Sequence, residues 1–136
     1  MAQIPSAING VTVEFAGTVV NDVDQAVVDA LMHCVKPNVA NGHTLSRIFV
    51  SSASDSHAFP SRHAQKKAVD ISRVNGTKIV IGYPSNLPLK AIVDALQDTF
   101  ETFANRRENF GPHLKLKLGH PHPVDGHADH IHFSVN

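Results

Sequence analysis

The stretch Asp129-His130-Ile131-His132-Phe133-Ser134-Val135 sets apolar Ile131, Phe133 and Val135 in alternation with polar neighbours. That period of two is the signature of a half-buried β-strand. It turns the three apolar side chains to one face and His130 and His132 to the other. Working outward, Ala68–Arg73 and Thr77–Ile81 read as two strands joined at Asn75-Gly76, a dipeptide suited to a tight hairpin turn. Leu45–Ser51 reads as a strand through Ile48, Phe49 and Val50, followed by the polar run Ser51-Ser52-Ala53-Ser54-Asp55-Ser56. His113–Leu118 alternates cleanly, whereas Val11–Val20 alternates weakly and fits a short strand or an irregular entry segment.

Two segments carry helical spacing instead. Asp22 is placed to cap a helix running to about Val35, with Val23, Ala26, Val27, Ala30, Leu31 and Cys34 on one face. Pro37 stops it. Asn86 to about Arg106 reads as a longer helix facing the core through Ile92, Leu96, Phe100 and Phe103. The order helix, strand, hairpin, helix, strand, strand predicts an α+β fold, an antiparallel sheet with helices packed on one side.

With 136 residues, the chain has the size of one domain, spanning 1–136, and needs no covalent staples to bury a core. Its formal net charge is zero with histidine neutral, which gives no electrostatic case for a nucleic-acid or anionic-membrane partner. The single cysteine, Cys34, excludes an intramolecular disulfide framework and, at helical spacing among apolar residues, reads as a buried thiol. No run approaches transmembrane length, and Met1-Ala-Gln-Ile-Pro lacks a basic and apolar leader, so the expectation is synthesis in the cytoplasm without stable membrane insertion. The ten histidines are the anomaly.

Three of them and one carboxylate, His127, Asp129, His130 and His132, crowd the terminal strand; a matching partner lies in Ser61-Arg62-His63-Ala64-Gln65-Lys66-Lys67-Ala68-Val69-Asp70-Ile71. His63, Asp70 and His132 supply the two imidazoles and one carboxylate that a catalytic zinc site uses, with a fourth position left for water. Each alone is weak, since two histidines on a strand are more often a solvent-facing stripe. Their conjunction is stronger. A carboxylate set among Ala68, Val69 and Ile71 needs a partner, and a divalent cation is a good one.

Ser61-x-His63 followed by Ala68-x-Asp70-Ile71, then His130-x-His132 before an apolar strand end, resembles the zinc peptidases related to D-Ala-D-Ala carboxypeptidases. That group includes phage endolysins that cut the L-alanyl-D-glutamate bond, murein endopeptidases and the hedgehog signalling domain. The resemblance covers Ile48 to Ile81 and the C-terminal strand, about half the chain. It implies His63, Asp70 and His132 as zinc ligands on the open face of the sheet, and a peptidoglycan stem peptide as substrate. The chain departs from the family motif at two places. Lys66 stands where the family has glycine, and Ser51-Ser52-Ala53-Ser54 lacks the family arginine, for which Arg62 and Arg73 are the candidate substitutes.

The reaction so implied is metal-assisted amide hydrolysis, with Asp129 or His127 moving the water proton to the leaving amine and His130 stabilising charge beside the metal. Asp129, three residues before His132, matches the acid-x-x-His spacing of the phage endolysins. His127, with His130 and His132, matches the murein endopeptidase spacing. Asp129 is favoured because a carboxylate holds its charge over a broad pH range, although strict alternation turns it away from His130 and His132 unless a bulge re-aims it. Small size without a leader or wall-binding segment points to a monomeric phage endolysin released through a holin. A D-Ala-D-Ala carboxypeptidase is the alternative, as is a non-enzymatic zinc-stabilised binding or virion module on the same fold. Among the remaining histidines, His113, His120 and His122 lie in the Gly/Pro-rich approach to the terminal strand, as cleft-lining candidates or, the commoner case, as loop residues with no role. His57 in the serine loop is placed to reach the site from the other side, and His33 and His43 read as surface residues.

Overall fold

A computed structural model describes residues 1–55 and 61–136. In chain order its strands and helices are β1 (Ala2–Gln3), β2 (Ala7–Ile8), β3 (Val11–Phe15), β4 (Asp22–Val23), α1 (Gln25–Cys34), β5 (Arg47–Ser52), β6 (Ala68–Val74), β7 (Thr77–Lys78), α2 (Ile79–Gly82), α3 (Leu87–Phe100), β8 (Arg106–Phe110), β9 (Lys115–Lys117), β10 (His120–Pro121) and β11 (Ile131–Val135). β1 and β4 form a small antiparallel pair. The main sheet runs β10-β9-β8-β11-β6-β5-β3-β2, with β7 hydrogen-bonded to β6. The protein is α+β, with a mostly antiparallel sheet and few helices.

The sheet departs from the pure antiparallel expectation between β3 and β5, which run parallel. α1 lies between them in the chain. A helical crossover returns the chain in its original direction, which a tight hairpin cannot do.

Several element boundaries move for identifiable reasons. Asp24, not Asp22, caps α1, its side chain accepting from the Ala26 N–H at 2.9 Å, while Asp22 and Val23 pair with β1. The Asn75-Gly76 turn forms as expected, with both residues at positive φ (52° and 81°). The Asn75 carboxamide oxygen also accepts from the backbone N–H groups of Ser46 and Arg47, pinning the turn to the start of β5. β7 is nevertheless short. Only Ile79 of the Ile79-Val80-Ile81 run enters the core, and the chain coils into α2 with Val80 and Ile81 exposed.

Asn86 caps α3 by accepting from the Leu89 N–H at 3.1 Å, but the helix ends at Phe100 rather than near Arg106. Thr102 turns back onto Thr99 through both its N–H and its hydroxyl, and Phe103 bonds to Phe100, closing the end in tight turns. Arg106 then opens β8, a strand the helical spacing of Phe100 and Phe103 conceals.

The core lies between the sheet and the paired helices α1 and α3. Ile131, Phe133 and Val135 face it, and Phe133 stacks on Phe100 of α3 with ring centroids 4.1 Å apart. Cys34 is fully buried, and burial pushes its thiol up to about 12. None of the described helices is long and apolar enough to cross a membrane.

Candidate metal centre

The register of β6 and β11 does most of the assembly. Ile131 lies opposite Ile71 and Phe133 opposite Val69, so His132 faces Asp70 on the side of the sheet away from α1 and α3. His63 comes from the turn before β6. The Ser61 hydroxyl accepts from the His63 N–H at 3.0 Å, Lys66 N–H bonds back to the His63 carbonyl at 2.9 Å, and the Asp24 N–H bonds to the Lys66 carbonyl at 2.8 Å. Lys66 adopts φ of +62°, the left-handed conformation that glycine takes freely, and its ammonium pairs with Asp22 at 2.9 Å. Lysine here bears the conformational cost of a left-handed residue.

Three potential ligand atoms meet at one point. His63 Nε2 lies 3.2 Å from Asp70 Oδ1 and 3.2 Å from His132 Nδ1, and His132 Nδ1 lies 2.9 Å from Asp70 Oδ1. A tetrahedral ion with bonds of about 2.1 Å holds its ligand atoms roughly 3.4 Å apart, close to these separations. The outer ring nitrogens also have partners: His63 Nδ1 bonds the Ala53 carbonyl at 2.6 Å, and His132 Nε2 bonds Glu108 Oε1 at 3.0 Å. Metal-binding histidines characteristically carry such outer acceptors. His63, Asp70 and His132 form a group that can hold a metal ion, and the donor set and its outer partners fit zinc chemistry.

The charge balance favours a cation. Burial works against ionisation of Asp70, yet hydrogen bonds from His132 and His63 hold its carboxyl far below the usual range. Burial likewise opposes ionisation of Glu108, but His132 and Ser134 bring it down to about 2. Between these carboxylates the His132 imidazole, although buried, is pushed up to about 9. Of the two histidines that alternation puts on one face, His132 is only 8% exposed, while the His130 side chain is 20% exposed; His63 beside His132 is 4% exposed.

The further acid–base candidates arrange themselves unequally. His130 brings Nε2 to 3.9 Å from Asp70 Oδ1, and its Nδ1 bonds Asp129 Oδ1 at 2.7 Å. His127 sits with its ring centroid 4.9 Å from that of His130 and 5.7 Å from that of His132. Burial and the neighbouring His130 lower its pKa, favouring the neutral ring. Asp129 precedes β11, its side chain is 60% exposed, and the hydrogen bond from His130 keeps it ionised. It meets the cluster through His130.

Phe110 of β8 anchors the wall. It lies opposite His132 in register, stacks on it at 5.6 Å, stacks on His122 at 5.6 Å and meets His127 edge-on at 5.2 Å. Among the described residues, His122 thus reaches the group only through Phe110 and is itself exposed. His120 is exposed in β10, and His113 turns instead to Asp98 and Asp94 of α3. Neither candidate arginine makes a described contact with the cluster: Arg62 bonds Gln65, and Arg73 lies over the Phe49 ring at 4.4 Å. His57 lies outside the described residues.

Glu108 and the Ala53 carbonyl are absent from the sequence-based set. A backbone carbonyl has no sequence signature. Glu108-x-Phe110 would have stood out by alternation had the segment been read as a strand. Asp55 supports Ala53 by accepting from its N–H, and takes the Ser52 hydroxyl at 3.0 Å. No protein-family model, curated protein or solved structure matches the chain.

Proposed function

We propose that the chain is a zinc peptidase of the D-Ala-D-Ala carboxypeptidase and hedgehog-like type, cleaving peptidoglycan stem peptides as a phage L-alanyl-D-glutamate endopeptidase. The observation that carries this reading is the convergence of His63 Nε2, Asp70 Oδ1 and His132 Nδ1 beside two further imidazoles and the ionised Asp129. A bound zinc would supply Lewis-acid polarisation of a carbonyl and acidify water toward a pKa of about 7. Asp129, acting with His130, takes the proton from water and returns it to the leaving amine, and the neutral His127 beside them is the rival for that task. His130 supports the charge that develops next to Asp70. The peptide-bond choice and the action on the cell wall rest on the motif resemblance.

Turbidity of purified cell walls, followed by mass spectrometry of the released muropeptides, tests the proposal. New L-alanine and D-glutamate termini are expected. Release of D-alanine alone would move the protein to the carboxypeptidase branch. Intact muropeptides after long incubation with zinc would favour the zinc-stabilised binding module.

A further inference from the structure

Glu108 belongs to a different strand from any of the three grouped residues, and its contacts give it a defined task. Its Oε1 lies 3.0 Å from His132 Nε2 and receives the Ser134 hydroxyl at 2.7 Å. The Ser134 oxygen in turn accepts from the Glu108 N–H at 2.9 Å. Glu108 on β8 and Ser134 on β11 thus form a closed pair across two adjacent strands, two residues along from His132. The Ser134 hydroxyl holds the carboxylate, and the Glu108 N–H in turn holds that hydroxyl oxygen.

We infer that Glu108 is a positioning residue that fixes the tautomer and ring orientation of His132, so that Nδ1 presents its lone pair to the point shared with His63 and Asp70. A neutral imidazole carries one N–H and one lone pair, and an ionised carboxylate accepts hydrogen bonds without donating any. Without a metal both ring nitrogens face a carboxylate, Asp70 and Glu108. When Nδ1 gives up its proton to bind a metal, the remaining proton is the one on Nε2, held by Glu108. The opposite nitrogen, Nδ1, lies 2.9 Å from Asp70 Oδ1 and 3.2 Å from His63 Nε2. Phe110, stacked on the ring from the same strand as Glu108, limits its rotation.

The two imidazoles differ in this respect. His63 points its outer nitrogen at a neutral acceptor, the Ala53 carbonyl, whereas His132 points it at a charged one. A carboxylate acceptor makes the ring a stronger electron donor to a metal than a neutral carbonyl does. Glu108 therefore makes His132 a stronger donor than the same ring would be facing a neutral acceptor. The inference rests on the metal reading of the site and is independent of the peptidase assignment.

The test compares wild type with Glu108→Gln and Glu108→Ala. Zinc affinity is measured by chelator competition, and the visible spectrum of the cobalt(II)-substituted protein reports the ligand field directly. Glu108→Gln keeps the shape and loses the charge; it should bind zinc about tenfold more weakly, and Glu108→Ala up to about a hundredfold. Both should shift the cobalt bands, which a change in fold stability alone would leave in place. Should the alanine variant fail to fold, the glutamine variant decides. Zinc affinities within about twofold of wild type and an unchanged cobalt spectrum would overturn the assignment alone. A wild-type protein that takes up no zinc would overturn the metal reading and this inference with it.

Discussion

Two histidine–aspartate clusters occupy different parts of the molecule and use the same side chains differently. At the sheet, His63, Asp70 and His132 each send one atom to a common point, and their side chains are only 6%, 13% and 10% exposed. On the outside of α3, His113 spreads its two ring nitrogens over two carboxylates, Asp98 at 2.9 Å and Asp94 at 3.6 Å, with Asp98 64% exposed. Asp94 is further occupied by the Tyr83 hydroxyl and the Lys90 ammonium. Residue type is shared. Convergence and burial are what distinguish a candidate ion site from a solvated ion-pair network, because water screens the second and cannot satisfy the first.

The strongest way to sharpen that contrast is kinetic. Asp129→Ala should lower kcat on stem peptides by a factor of about a hundred or more while zinc stays bound. If His127→Ala shows that loss and Asp129→Ala does not, the neutral imidazole beside His132 is the base.

The second expectation concerns pH. Burial alone would lower the pKa of His132, but Asp70 and Glu108 raise it to about 9, against roughly 6.5 in an unfolded chain. A raised folded-state value means stability that is complete below about pH 6.5 and lost as the pH climbs through about 9. The thermal midpoint of the chelator-treated protein should therefore fall across that window. Zinc affinity should rise across it, since the His132 proton has to leave. A metal-free protein that gains stability between those pH values would contradict the charge arrangement described.

The smallest effect belongs to the second cluster. Asp98→Asn should change stability by at most about 1 kcal/mol and leave zinc uptake intact, as expected for a screened surface pair. Lost zinc in that variant would erase the distinction between the two clusters.

Legibility followed the range of the interactions. The Asn75-Gly76 turn and the β11 alternation are local, and both were readable in the residues themselves. His132 and Asp70 were legible as possible co-ligands, but their direct pairing across β11 and β6 was not, since strand neighbours are set by contacts distant in the chain. The parallel β3–β5 pair was not legible either, for the same reason. β8 was hidden by Phe103, which packs against the core from a tight turn while extending the apparent helical period past Phe100. With β8 unseen, Glu108 and Phe110 went unseen too, although they define one wall of the site. Lys66 is a further case. A lysine carries no sequence sign of a left-handed residue, yet the backbone takes that conformation there.

Metal content of the purified chain tests the central claim most directly. Wild type should retain one tightly held zinc per chain, with His63→Ala and His132→Ala retaining little or none after dialysis against a weak chelator. Undiminished zinc in both variants would contradict the assignment of His63, Asp70 and His132 as its ligands.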